Sequence, residues 1–141
     1  MQKNLETVQN IYAAFGRGDV NAILDCLAPD VAWEQWSNNF AQKAGVPWMK
    51  AGSGRQVVLQ FFHTIGAFKI SRFEVLSLMA GGNQVAAEVE LAAEVPATGG
   101  SFQEQEIHLW TFNDRGQVTR FRHYLDTARH IEVAKGERTD K

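Results

Sequence analysis

Residues 107–134 read IHLWTFNDRGQVTRFRHYLDTARHIEVA. Two runs rich in aromatic and β-branched residues flank Asn113-Asp114-Arg115-Gly116, which has hairpin-turn composition. Alternation along the first run, extended backwards, puts Glu104, Glu106, His108, Trp110 and Phe112 on one face and Gln103, Gln105, Ile107, Leu109 and Thr111 on the other. Along the second run Thr119, Phe121, His123 and Leu125 oppose Arg120, Arg122 and Tyr124. Asp126 is placed to cap a last helix that runs to about Ala134. The charged end, residues 136–141, is expected to fray.

Moving outward, the same alternation predicts four consecutive strands at about Lys69–Leu78, Gln84–Val95, Phe102–Phe112 and Gln117–Leu125, with Gly81-Gly82-Asn83 and Ala97-Thr98-Gly99-Gly100 as the other turns. Upstream the period changes. Leu5, Val8, Ile11, Tyr12 and Phe15 recur at helical spacing, and Gly16 and Gly18 end that helix. Asp19 caps a shorter helix with Val20, Ile23, Leu24 and Leu27 on its inner face, and Pro29-Asp30 makes a turn. Val31–Trp36 reads as a strand that places Trp33 with Val31 and Gln35, opposite Ala32, Glu34 and Trp36. Gly54–Ile65 reads as a third helix with Val57, Val58, Phe61, Phe62 and Ile65 apolar. Between them, 37–53 reads as an irregular stretch of a length that often carries function. Trp48 and Met49 within it are expected either to cover a cavity mouth or to anchor the loop.

Helices separated from consecutive hairpins indicate one α+β domain over 1–141. The hairpins make the sheet antiparallel, and a strongly curved sheet with helices over one face leaves a cavity between them where a ligand pocket would sit. The chain has 141 residues, a net charge of −2 and no basic block of the kind that neutralises phosphates, which argues against nucleic acid as a partner. No apolar run reaches membrane-spanning length, and the first residues lack a signal-peptide core, so a cytoplasmic address is expected. The single cysteine, Cys26, sits among apolar residues at helical spacing and reads as a small core residue.

VQNIYAAFGRGDVNAILDCLAPDVAWE, residues 8–34, resembles the opening of SnoaL-like and ketosteroid-isomerase-related proteins, and residues 107–134 resemble their closing hairpin and tail. The resemblance implies the nuclear transport factor 2-like cone-shaped barrel, a pocket, and dimerisation through the sheet. One fold hosts many chemistries, among them isomerases, polyketide cyclases, dehydratases, epoxide hydrolases and binding domains. At the position of His123, limonene epoxide hydrolases hold an aspartate and many ketosteroid-isomerase-related chains a glutamate. No Arg-x-Asp pair stands near Glu88-Val89-Glu90-Leu91, which argues against the epoxide-hydrolase mechanism.

Two histidines and up to two glutamates then project into a mostly apolar cavity. Burial raises a glutamate's pKa and lowers a histidine's, opposite neighbours do the reverse, and the balance can leave either type near neutrality, where proton transfer is efficient. His123 is the expected proton carrier, with Glu106 and His108 as catalytic partners; Trp33, Trp110, Phe121, Leu125 and Trp48 are expected to line the substrate site. Glu104, near the hairpin end, reads as solvated, and Glu88 and Glu90 as outward-facing. Asp126 reads as a cap, and His63 and His130 as partly buried packing residues. The four histidines form no His-x-x-His or HExxH unit, and no phosphate-binding glycine loop is present, so neither metal nor cofactor is expected. The leading expectation is a cofactor-free isomerase, dehydratase, cyclase or hydrolase acting on a compact, largely apolar oxygenated small molecule, working as a homodimer. The alternatives are a non-catalytic small-ligand-binding domain of the same fold and a protein-interaction domain using the outer sheet face.

Overall fold

The apolar stripe of the first helix is realised in α1 (Gln2–Gly16), which buries Val8, Ile11 and Ala14. The structure, a computed structural model, describes residues 2–36 and 39–141. Asp19 caps α2 (Val20–Leu24) by accepting from the Ala22 N–H at 3.1 Å. β1 follows as Leu27–Trp33, earlier than its composition suggests. Pro29-Asp30 is no turn but the exposed, irregular part of that strand, where the register against its neighbour shifts between Leu27 and Ala32. A proline fits there because no ladder hydrogen bond is demanded of it.

The stretch 37–53 is largely folded; Ser37 and Asn38 lie outside the described residues. Asn39 caps the short α3 (Phe40–Lys43), a 3-10 turn spans Pro47–Met49, and β2 (Gly52–Ser53) pairs with the end of β1. α4 (Arg55–Gly66) leads into β3 (Lys69–Gly81), β4 (Gln84–Val95), β5 (Gly100–Phe112) and β6 (Val118–Tyr124), and Asp126 caps α5 (Thr127–Ala134) through the Arg129 N–H at 3.1 Å. The charged tail does not hang free: Ser101 donates to the Glu137 carbonyl at 3.1 Å and accepts from the Thr139 N–H at 2.8 Å.

The strands form one curved sheet in the order β2-β1-β6-β5-β4-β3. It stays open, with β2 and β3 at its edges, and it is mixed rather than purely antiparallel because β1 runs parallel to β6. Along β4 the inner residues Val85, Ala87, Val89, Leu91, Ala93 and Val95 are all buried, while Glu88 and Glu90 face outward. The core divides in two. One half gathers α1, α2, β1 and α4 around Trp33, Trp110 and Phe121; the other gathers Trp48, Met49, Leu91, Phe102 and Val133, and Tyr12 and Phe61 touch both. Cys26 packs half-buried against the first half. Among the described residues no helix is long and apolar enough to cross a membrane.

Candidate active site

The inner face of β5 runs Phe102, Glu104, Glu106, His108, Trp110, Phe112, so its apolar ends join the two halves of the core and its middle is ionisable. β6 sets His123 opposite His108 and Phe121 opposite Trp110. Simple pairing through the turn brings Glu106 opposite His123. A bulge at Thr111–Phe112 instead makes His108 the direct partner and leaves Glu106 the next inward residue on β5. All three stay on one face because the change is by an even number of residues. Glu106, His108 and His123 are 4%, 5% and 8% exposed, and the two imidazoles meet edge to face at 4.6 Å between centroids.

Strand alternation turns Glu34 away from Trp33, but the structure turns it inward. Its N–H still pairs with the Phe121 carbonyl at 2.9 Å, and then its φ of 57° swings the chain out of β1. A non-glycine residue in the left-handed region is uncommon and marks a position held by its surroundings. Gln42 holds the Glu34 carbonyl at 2.5 Å, and the carboxylate is wholly buried. It accepts the His123 backbone N–H at 2.7 Å and faces Nδ1 of His123 at 2.5 Å. An ionised carboxylate only accepts, so Nδ1 carries hydrogen and Nε2 is the nitrogen left for chemistry.

His108 sits in a second chain. The Trp110 indole donates to the Tyr12 hydroxyl at 3.1 Å, Tyr12 meets His108 Nδ1 at 2.7 Å, and Nε2 of His108 donates to Glu106 at 3.0 Å. Burial lowers the pKa of His108 and outweighs the pull of Glu106. Burial would raise Glu106, but hydrogen bonds from His108 and His130 hold it well below the ordinary range. Burial would also lower His123, yet the Glu34 carboxylate beside it prevails and raises it.

Two further residues belong to this network. Glu104 is not solvated: its side chain is 5% exposed and hydrogen-bonds Nε2 of His130, which also lies 3.6 Å from Glu106. His130 is not a bystander in the packing; it lines the cavity, and the Trp48 indole donates to its Nδ1 at 2.7 Å. His63, expected to be partly buried, faces solvent on α4.

The cavity has two lobes of about 60 Å³ each, with His108, His123, Phe61 and Phe73 on the walls of both. Trp33, Trp110 and Phe121 line the inner lobe; Trp48, Leu125, Glu106 and His130 line the outer one. Trp48 is no flap but a buried anchor, 5% exposed, that also forms cavity wall. Ligand atoms of Glu106, His108 and His123, and of Glu104, Glu106 and His130, lie within 4.8 Å of one another. A metal would need a lone pair on Nε2 of His108 and of His130, and both nitrogens direct a hydrogen at a carboxylate. These triads read as proton-bearing groups.

The SnoaL-like domain family matches residues 8–121 of the chain. No curated protein matches the chain in sequence. Among solved structures, an NTF2-like protein of unknown function from Burkholderia pseudomallei superimposes with a TM-score of 0.78 at 24% identity, covering 95% of this chain and 98% of that one. A protein provisionally described as a polyketide cyclase, from Xanthomonas campestris, gives 0.74 at 23% identity, with 94% and 97% covered. TerC, co-crystallised with polyporic acid, gives 0.73 at 21% identity, with 94% and 98% covered. At these identities the likeness is one of fold.

Proposed function

The chain belongs to the SnoaL-like family, and we propose that it is a cofactor-free enzyme that moves a proton on a compact, largely apolar oxygenated small molecule. The observation that carries this reading is the Glu34–His123 pair at the wall of the cavity. Glu34 fixes the ring through two contacts, one to the backbone and one to Nδ1, so Nε2 is the free nitrogen of His123. When His123 takes a proton from substrate, the imidazolium forms beside a buried carboxylate, which stabilises it; the same contact makes His123 the stronger base. The apolar walls exclude water and suit a ring system carrying a carbonyl or hydroxyl group. Isomerisation, dehydration and cyclisation each need this proton transfer. We place the enzyme in the cytoplasm as a homodimer joined through the outer face of the sheet, with neither nucleic acid nor membrane as a partner.

A panel of cyclic β-hydroxy ketones and hydroxyquinones, polyporic acid among them, tests the reading by absorbance change. Turnover that is lost in His123→Ala, with folding intact by circular dichroism, supports it. Binding that shifts the His123 ring resonances with no turnover across the panel assigns a ligand-binding domain instead.

A further inference from the structure

The Trp48–His130–Glu104 array has no part in the Glu34–His123 pair, yet the two are linked: His130 stands 3.6 Å from Glu106, whose ligand atom lies within 4.8 Å of those of His108 and His123. An indole N–H is a donor with no acceptor capacity. Its 2.7 Å contact to Nδ1 of His130 therefore needs a lone pair there, which fixes His130 as the neutral form with hydrogen on Nε2. Charge alone points the other way: burial disfavours the imidazolium, but Glu104 and Glu106 together raise the pKa of His130 to about 9. The indole opposes that outcome, because an imidazolium carries N–H on both nitrogens and two donors cannot share one contact.

With His130 neutral, Glu104 and Glu106 are two carboxyl groups with oxygens within 4.8 Å of each other, 5% and 4% exposed at their side chains. The groups that face them are the Nε2–H of His130, the Nε2–H of His108 on Glu106, and Arg129, whose Nε stands 3.8 Å from Oε2 of Glu104 and also near Asp126; His123 lies beyond His108. Two buried carboxylates this close do not both ionise. Both oxygens of Glu106 face histidine nitrogens, whereas Oε2 of Glu104 is buried without a hydrogen-bond partner, so the shared proton belongs on Glu104. Burial, with Glu106 adding to it, raises Glu104 to about 7, in keeping with this placement.

The two carboxyls also face different surroundings. Glu104 borders a shallow surface depression with Gln103, Gln105, Asp126 and Arg129, while Glu106 borders the cavity. We infer that Glu104 and Glu106 share one proton, kept there by the Trp48-fixed tautomer of His130, and that this pair is the path by which the buried site exchanges protons with solvent. Glu104 passes its proton to Glu106, which releases it into the cavity, and Glu104 then takes another from water in the depression, so the pair holds one proton before and after. The inference rests on the acid–base reading of the site, but its test needs no substrate.

The test is nuclear magnetic resonance of the free protein labelled at glutamate carboxyl carbon and histidine ring nitrogen. One glutamate should titrate well above the ordinary carboxylate range, with His130 as the neutral Nε2–H tautomer at neutral pH. Trp48→Phe should convert His130 to the imidazolium. Glu104→Gln should leave the tautomer, remove the high titration, and slow solvent exchange of the His123 ring N–H by about tenfold or more. His130 found as imidazolium at neutral pH in the wild type, or no glutamate titrating above the usual range, overturns the shared proton. Unchanged exchange in Glu104→Gln overturns the path. If Trp48→Phe does not fold, the wild-type spectra and Glu104→Gln decide. Each of these failures leaves the Glu34–His123 pair standing, because that pair is tested by turnover.

Discussion

At the scale of single residues, Glu34 has the largest consequence and was the least legible. In the sequence it stands in AWEQW, where alternation assigns it to the face opposite Trp33. Its inward position depends on one left-handed φ and on partners at Gln42 and His123, which the local pattern does not contain. His108, Glu106 and His123 were legible because each lies inside a regular strand, where the side-chain period holds. Glu34→Gln keeps the shape and an acceptor for the His123 backbone N–H but removes the charge. With the carboxylate gone, burial is left to act and the pKa of His123 should fall below its ordinary value, which a ring-proton titration reads directly. The sign for stability follows. In the wild type the folded pKa is raised, so the contribution is fully present below the unfolded value of about 6.5 and is lost as pH rises through the folded one. In Glu34→Gln that contribution is gone and neutral His123 must be kept neutral in acid. Denaturant midpoints should therefore show the variant losing more, relative to wild type, at about pH 5.5 than at about pH 8.5, on top of a general loss of about 3–5 kcal/mol from breaking a buried pair.

Elements differ in how much of them the sequence discloses. The α1 stripe, the caps at Asp19 and Asp126 and the hairpin turns are local signals, and the structure places each within a few residues of its expected position. β1 and the turn at Pro47–Met49 are fixed by distant partners: β1 by its parallel neighbour β6, Trp48 by His130, 82 residues on. A loop reading of Trp48 makes Trp48→Ala harmless to stability. The buried anchor makes it cost about 3–5 kcal/mol, measured as a lower denaturant midpoint. The contact between α5 and β5 has a sharper probe. Gly100 lies so close to the backbone of Val133 that any Cβ would collide with its carbonyl. Gly100→Ala should lift α5 from the sheet at a cost of about 1–3 kcal/mol, and it should shift the resonances of His130 while leaving those of His123 nearly unchanged.

For the whole molecule, alternation divides the sheet into two surfaces with different tasks. The inner surface of β5 and β6 carries the ionisable groups. The outer surface carries, from the same strands, Ile107 paired with Tyr124 and Leu109 paired with Arg122, and Leu109 continues to Ala86, which pairs with Met79. Met79 is 51% exposed and Tyr124 38%. Arg122 and Glu88, the latter beside Ile107, interrupt this strip, but its exposed apolar side chains make it a candidate contact surface, and a net charge of −2 opposes self-association only weakly. We propose a second copy of the chain as its occupant, since a two-fold interface uses the same patch twice. Light scattering at micromolar concentration should then give twice the chain mass of 15.8 kDa. Leu109→Arg, on the face opposite His108 and Trp110, should return the mass to that of one chain while the His123 ring resonances stay in place, because the substitution reaches no cavity wall. A wild-type chain that scatters as a monomer would sink the homodimer. A Leu109→Arg variant that stays dimeric would move the interface to another face, and one that disturbs His123 would show that the two surfaces of the sheet are not independent.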